Sequence, residues 1–168
     1  AQQSAVHLSV RGGSGTGGGG LDRVRPRVIE LLGTESGLPY ESVRSACQDA
    51  FGAVWVTTQN GLLACWKSNV WITAAMEANW PVAHFSCVTA DRHGGVWIGS
   101  RDHGLYHLND DHLEHLTPQD GLVSNDIRSL LASSSGDLLI ASDSPSRLQR
   151  LRDGKLQKLE LPCQTRSL

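Results

Sequence analysis

One sequence unit recurs along this chain at a fixed interval, and no other feature restricts its fold so tightly. Trp55 sits in Gly52-Ala53-Val54-Trp55-Val56-Thr57, and Trp97 occupies the same place in Gly94-Gly95-Val96-Trp97-Ile98-Gly99. Leu139 holds that place one further period on, in Gly136-Asp137-Leu138-Leu139-Ile140-Ala141. Gly37-Leu38 and Gly121-Leu122 are two periods apart, with Asn79-Trp80 in the slot between them. Gly15-Thr16 ahead of Gly20-Leu21 is matched, again two periods on, by Gly99-Ser100 ahead of Gly104-Leu105. Independent markers in one phase define a repeat, and 168 residues hold four copies of it. A period of about 20–50 residues specifies a solenoid, a propeller or an array.

Within each unit the apolar residues fall in short alternating runs, the pattern of half-buried strands. Val43, Ser45 and Cys47 alternate with Arg44, Ala46 and Gln48; Val54-Trp55-Val56, Leu62-Leu63-Ala64 and Val70-Trp71-Ile72 follow, separated by Asn-Gly or Ser-Asn turns. No segment keeps a helical period. Four antiparallel strands per unit of this length make the blade of a β-propeller. The expected fold is all-β, a single propeller-type domain of four four-stranded blades over about 1–32, 33–75, 76–116 and 117–161, with a tail at 162–168. The first blade is degenerate. Its tryptophan slot is Gly13, and glycines 12–20 weaken a strand by entropy and by offering no side chain to pack.

Several functions are excluded or disfavoured at this stage. The net charge is −2 with no basic run, so nucleic acid is not an expected partner. No apolar stretch approaches the ~18 residues of a membrane span. The glycine tract ends in Gly20-Leu21-Asp22-Arg23 rather than the Gly-Lys-Ser/Thr of a phosphate loop. Cys47, Cys65, Cys87 and Cys163 match neither a metal motif nor a compact disulfide framework. His103, His107, His112 and His115 are close in sequence, and adjacent strands can bring His107 and His112 together but not all four, so no metal or cofactor is expected. Ala1-Gln2-Gln3-Ser4 reads as a mature end after signal cleavage, which points to a periplasmic or extracellular protein.

The units resemble the two-component regulator propeller repeat. The second carries Gly37-Leu38-Pro39, Val43, Asp49, Gly52, Trp55-Val56-Thr57 and Gly61-Leu62; the third carries Pro81, Phe85, Asp91, Gly94, Trp97-Ile98-Gly99-Ser100 and Gly104-Leu105. The fourth keeps Gly121-Leu122, Asn125, Ile127 and Gly136, but has Leu139 for Trp and Ser133 for Asp. The resemblance implies an extracytoplasmic sensing module of bacterial signalling proteins, often responsive to carbohydrates and usually seven-bladed. Four units fall short of that number, so self-association or further blades are expected to close the ring, ahead of closure as a small four-bladed ring.

In a propeller, the loop from one blade's outer strand to the next blade's inner strand shares a face with each second-to-third-strand loop. These loops vary while the framework repeats. They place Tyr40, Glu41, Asn60, His84, Arg101, Asp102, His103 and Asn125 as the candidate ligand residues: Tyr40 offers a stacking face, and Glu41, Asn60, Arg101 and Asp102 suit bonds to hydroxyls. The expected function is non-catalytic binding or sensing of a carbohydrate or other small ligand. One alternative is a propeller lyase or hydrolase using His84, Arg101 and His103; the other is a structural interaction module. Trp66, aligned with Asn109 at an outer-rim turn, is the candidate partner surface.

Overall fold

The computed structural model describes residues 32–73, 83–109, 112–143 and 145–160. Residues 1–31 of the expected first blade, Asn79-Trp80, Cys163 and the tail lie outside them. Among the described residues, twelve strands follow in order: β1 (Val43–Gln48), β2 (Val54–Thr58), β3 (Leu63–Lys67), β4 (Val70–Thr73), β5 (Phe85–Ala90), β6 (Val96–Ser100), β7 (Leu105–Asn109), β8 (His112–Leu116), β9 (Ile127–Ala132), β10 (Leu138–Asp143), β11 (Ser146–Arg152) and β12 (Lys155–Leu159). They form three four-stranded antiparallel sheets, β1-β2-β3-β4, β5-β6-β7-β8 and β9-β10-β11-β12. This is the all-β, blade-type architecture that the repeat requires. The register repeats too. Each inner strand skips one residue against its neighbour, at Arg44, Ser86 and Arg128, so the same bulge recurs in each of the three described sheets.

The sequence markers have local causes. Asp49 Oδ1 accepts the amides of Phe51 and Ala53, both at 2.9 Å, and Asp91 Oδ1 accepts those of His93 and Gly95 at 2.7 and 2.9 Å. Each carboxylate thereby closes the first hairpin of its sheet. The glycine inside that hairpin is left-handed, φ +98° at Gly94, a conformation that L side chains rarely adopt. Gly37 and Gly121 end single 3-10 turns, Thr34–Ser36 and Pro118–Asp120, and deliver Leu38 and Leu122 into the core. That is the physical content of the Gly-Leu marker.

Packing between sheets makes the core. Leu63, Phe85, Val88 and Ile98 fill the first seam, with Cys47 and Trp55 against them. Leu105, Ile127, Leu138 and Ile140 fill the second, with Trp97 against them. Burying aliphatic side chains this completely stabilises by roughly 1.5–3 kcal/mol each. The inner strands β1, β5 and β9 lie side by side and are cross-linked by hydroxyls. The amide of Val88 donates to Ser45 Oγ at 3.2 Å, and Ser86 Oγ donates to the carbonyl of Ile127 at 2.5 Å. Close approach here demands a residue without a side chain. A Cβ on Gly99 would stand 2.6 Å from Cys87 Sγ and 2.7 Å from Ile127 Cγ2. We therefore expect Gly99→Ala to lower stability by about 1–3 kcal/mol, seen as a lower urea midpoint at unchanged slope. An unchanged midpoint would show that the seam is looser than described.

Candidate functional site

The loops of one face are fixed by a repeated set of backbone bonds. Gln59 N donates to Ser42 O at 2.8 Å, Arg101 N to His84 O at 2.9 Å and Asp143 N to Asp126 O at 3.2 Å. Each bond ties a second-to-third-strand loop to the residues leading into its own sheet's inner strand. A second set crosses between sheets: Phe85 N donates to Gly61 O at 3.0 Å, and Gly104 N to Asn125 O at 2.9 Å. The side chains on these loops are thus free to differ while their backbone positions are held.

His84, Asp102 and His103 meet in this frame. His84 Nδ1 lies 3.1 Å from Asp102 Oδ2, and His103 Nδ1 lies 2.8 Å from Asp102 Oδ1. One carboxylate therefore orients two imidazoles. A neutral ring that donates from Nδ1 keeps its lone pair on Nε2, so each histidine offers an acceptor beyond the carboxylate. All three are well exposed, with side-chain accessibilities of 73%, 41% and 54% in chain order. Behind them His115 bonds the carbonyl of His103 through Nε2 and stacks on Tyr106, with centroids 4.2 Å apart and planes at 4°. Tyr106 in turn meets Phe85 edge-on at 6.1 Å, which links the cluster to the first seam. The hydrogen bond from His103 leads the causes that hold the Asp102 carboxyl below its ordinary value. Burial, then the Asp102 charge, raise the Tyr106 phenol.

The other expected residues are placed unevenly. The Arg101 amide anchors His84, and its guanidinium forms no ion pair among the described residues. Asn60 is bonded by its Oδ1 to the hydroxyl of Thr58 at 2.5 Å, and the adjacent Gly61 lies against His84. Asn125 joins through its main-chain carbonyl. Tyr40 and Glu41 are exposed in the loop before β1, and among the described residues no hydrogen bond connects them to the cluster.

Trp66 requires a correction. It is not at a rim turn but inside β3, opposite Val54, where the next sheet has Leu108 opposite Val96. The alignment with Asn109 is one residue out of register. Trp66 is half-buried and packs on Trp71 with centroids 5.3 Å apart. Phe51, 75% exposed, is the more open aromatic.

Other chemistry is sparse. Cys47, Cys65 and Cys87 are unpaired thiols, and burial pushes them up to about 12, 11 and 11, far from thiolate formation at neutral pH. Among the described residues no group of three or more His, Cys, Asp or Glu side chains is arranged to hold a metal ion, and no helix is long and apolar enough to cross a membrane.

The sequence missed one arrangement. In the first sheet Trp55 Nε1 donates to Asp49 Oδ2 at 2.9 Å. In the second, His107 Nε2 takes that carboxylate position on Asp91 at 2.7 Å, and the indole of Trp97 stacks on His107 at 3.9 Å. The available signal was variation: the same position carries Cys65, His107 and Gln149 in successive units, and only the second offers a ring nitrogen beside the aspartate.

Comparison with known proteins agrees with this architecture. Residues 37–60 match the family model for the two component regulator propeller. No curated protein sequence matches the chain. The extracellular domain assigned to a hybrid two component system of B. thetaiotaomicron has a TM-score of 0.65 at 22% identity, over 78% of this chain and 20% of its own. Virginiamycin B lyase from Staphylococcus aureus reaches 0.58 at 18% identity, over 72% and 42%. YCF48 bound to D1 peptide reaches 0.55 at 14%, over 72% and 41%. At these identities the likeness is one of fold. The chain spans between 20% and 42% of the lengths of these three structures.

The paired histidines generate a direct test. In a carboxyl-detected NMR titration, Asp102 should titrate below an ordinary aspartate, and His103→Ala should raise it toward the ordinary value. An unmoved midpoint would mean that His103 does not hold the carboxylate.

Proposed function

We propose that the chain is part of an extracytoplasmic sensing propeller that binds a small, hydroxyl-rich ligand on its loop face without transforming it. The observation that carries this reading is the His84–Asp102–His103 cluster beside Arg101, whose guanidinium has no ion-pair partner among the described residues, on loops whose backbones are fixed by repeated bonds. Two acceptor nitrogens and an available guanidinium suit a ligand with several hydroxyls and an acceptor group. Asn60 and Asn125 border the cluster, and Tyr40 and Glu41 stand on the same face. The match to the two component regulator propeller model supports a sensing role, and the extracellular origin of one structural relative supports the location. Screening neutral and acidic oligosaccharides by calorimetry should yield a binder whose affinity falls about tenfold or more in Arg101→Ala and Asp102→Ala. A binder indifferent to both substitutions would sink the loop-face assignment.

The same reading includes further blades or a second copy. Leu131 and Leu139 pair across β9 and β10 on the side of the third sheet that corresponds to Trp55 and Trp97, the side on which each earlier sheet receives the next. Leu131 is 60% exposed there. An apolar blade face of this kind is cover for another blade. Light scattering over a dilution series should show association of the chain, and Leu131→Lys should weaken it. A monomer in both cases would reject this surface.

A further inference from the structure

Between the second and third sheets lies a groove of about 640 Å³ that uses none of the loop-face residues. Its floor is apolar. Trp97 and Leu116 come from the second sheet, and Leu138 and Leu151 from the third. On the strand that forms its outer wall, His107 pairs with Glu114 and Leu105 with Leu116, so Glu114 and Leu116 face the groove side by side along β8. Asp153 stands on the opposite wall.

Two further observations bear on what fits. First, β8 pairs only with β7, and no strand of the described residues covers its outer edge. That edge presents a row of main-chain donors and acceptors to an added strand. Second, Glu114 on the groove wall has no lysine or arginine partner among the described residues, whereas Asp153 lies in the field of the adjacent Arg152. Glu114, 53% exposed, has only imidazoles nearby among the described residues, His107 Nδ1 at 3.6 Å and His112 Nε2 at 3.8 Å. No lysine or arginine of the described residues lines the groove, and the nearby Arg152 is engaged by both oxygens of Asp137 at 2.6 Å.

We propose that this groove takes an extended peptide segment, added as a strand to the outer edge of β8, with a lysine or arginine over Glu114 and an apolar side chain two residues away over Leu116. Strand periodicity puts alternate side chains on one side, so both enter the groove while the main chain pairs with β8. The order of the two is read from either direction of the peptide, so a central basic residue flanked by apolar residues at two-residue spacing satisfies both.

The test uses the full chain and an end-capped, fluorescein-labelled peptide of sequence Thr-Leu-Thr-Arg-Thr-Leu-Thr, with binding followed by anisotropy. The arginine peptide should bind. A version with glutamate in place of arginine should bind at least about tenfold more weakly, because it sets like charges together. N-methylation of alternate amides should abolish binding in one of the two possible phases, since only one set of amides faces β8. Glu114→Gln, at an exposed position where folding is not at stake, should weaken the arginine peptide about two- to fivefold and leave the glutamate peptide no weaker. Absence of binding below about 1 mM, equal binding of the two peptides, or indifference to Glu114→Gln would each overturn the proposal.

Discussion

A four-stranded sheet of this size has two faces and no means of burying either, so the seams between successive sheets decide the whole structure. Each seam is filled by one side of one sheet and the other side of the next. Phe85, Val88 and Ile98 do this with Leu63, and Ile127, Leu138 and Ile140 do it with Leu105. The inner strands have the least room, and there the chain uses a glycine at position 99 and hydroxyls that bond across the gap. The loop positions follow from these seams, because the loops after β2 and β6 are tied both to their own sheet and to the next.

The seams also explain why one carboxylate has two fates. The aspartate that closes the first hairpin has an oxygen left over, and that oxygen must find a donor as the next sheet excludes water. In the first sheet the indole of Trp55 donates. In the second, the imidazole of His107 intervenes and the indole of Trp97 stacks on it instead. Burial opposes ionisation of Asp91, but bonds from His107 and from the hairpin amides outweigh it and hold the carboxyl below its ordinary value. A depressed aspartate stabilises the fold above its unfolded-state value and loses that contribution only as pH falls through the folded one. That contribution is therefore fully present at neutral pH.

Much of this was legible in the residues because repetition amplifies weak signals. One Trp-Ile-Gly run proves little, but its return in phase with glycines and aspartates located the strand runs and the turns between them. Trp66 escaped for a physical reason. Alternation tells which residues share a side of a strand, but the start of a strand after a turn is uncertain by one, and one residue of slip moves a side chain across the sheet. The meeting of His84 with Asp102 escaped for a different reason. Both were placed on one face, but their contact depends on the pairing of Phe85 with Ser100 and on the bond from Arg101 N to His84 O, side-chain geometry that alternation alone does not give.

That division between main-chain framework and side-chain variation bears on how the loop face of such a module diversifies. The bonds that hold the loop face run from amide to carbonyl at Gln59, Arg101, Asp143, Phe85 and Gly104. A substitution of His84, Arg101, Asp102 or His103 by any residue other than proline leaves every one of those bonds available. The stability of the fold resides in the seams, and the chemistry of the loop face resides in exposed groups that contribute little to it. Selection can therefore act on these loops position by position. The groove between the second and third sheets obeys the opposite rule. Leu138 and Leu151 serve both its floor and the seam, so its shape is bound to the stability of the fold while its charge, carried by Glu114 and Asp153 on the rim, is not.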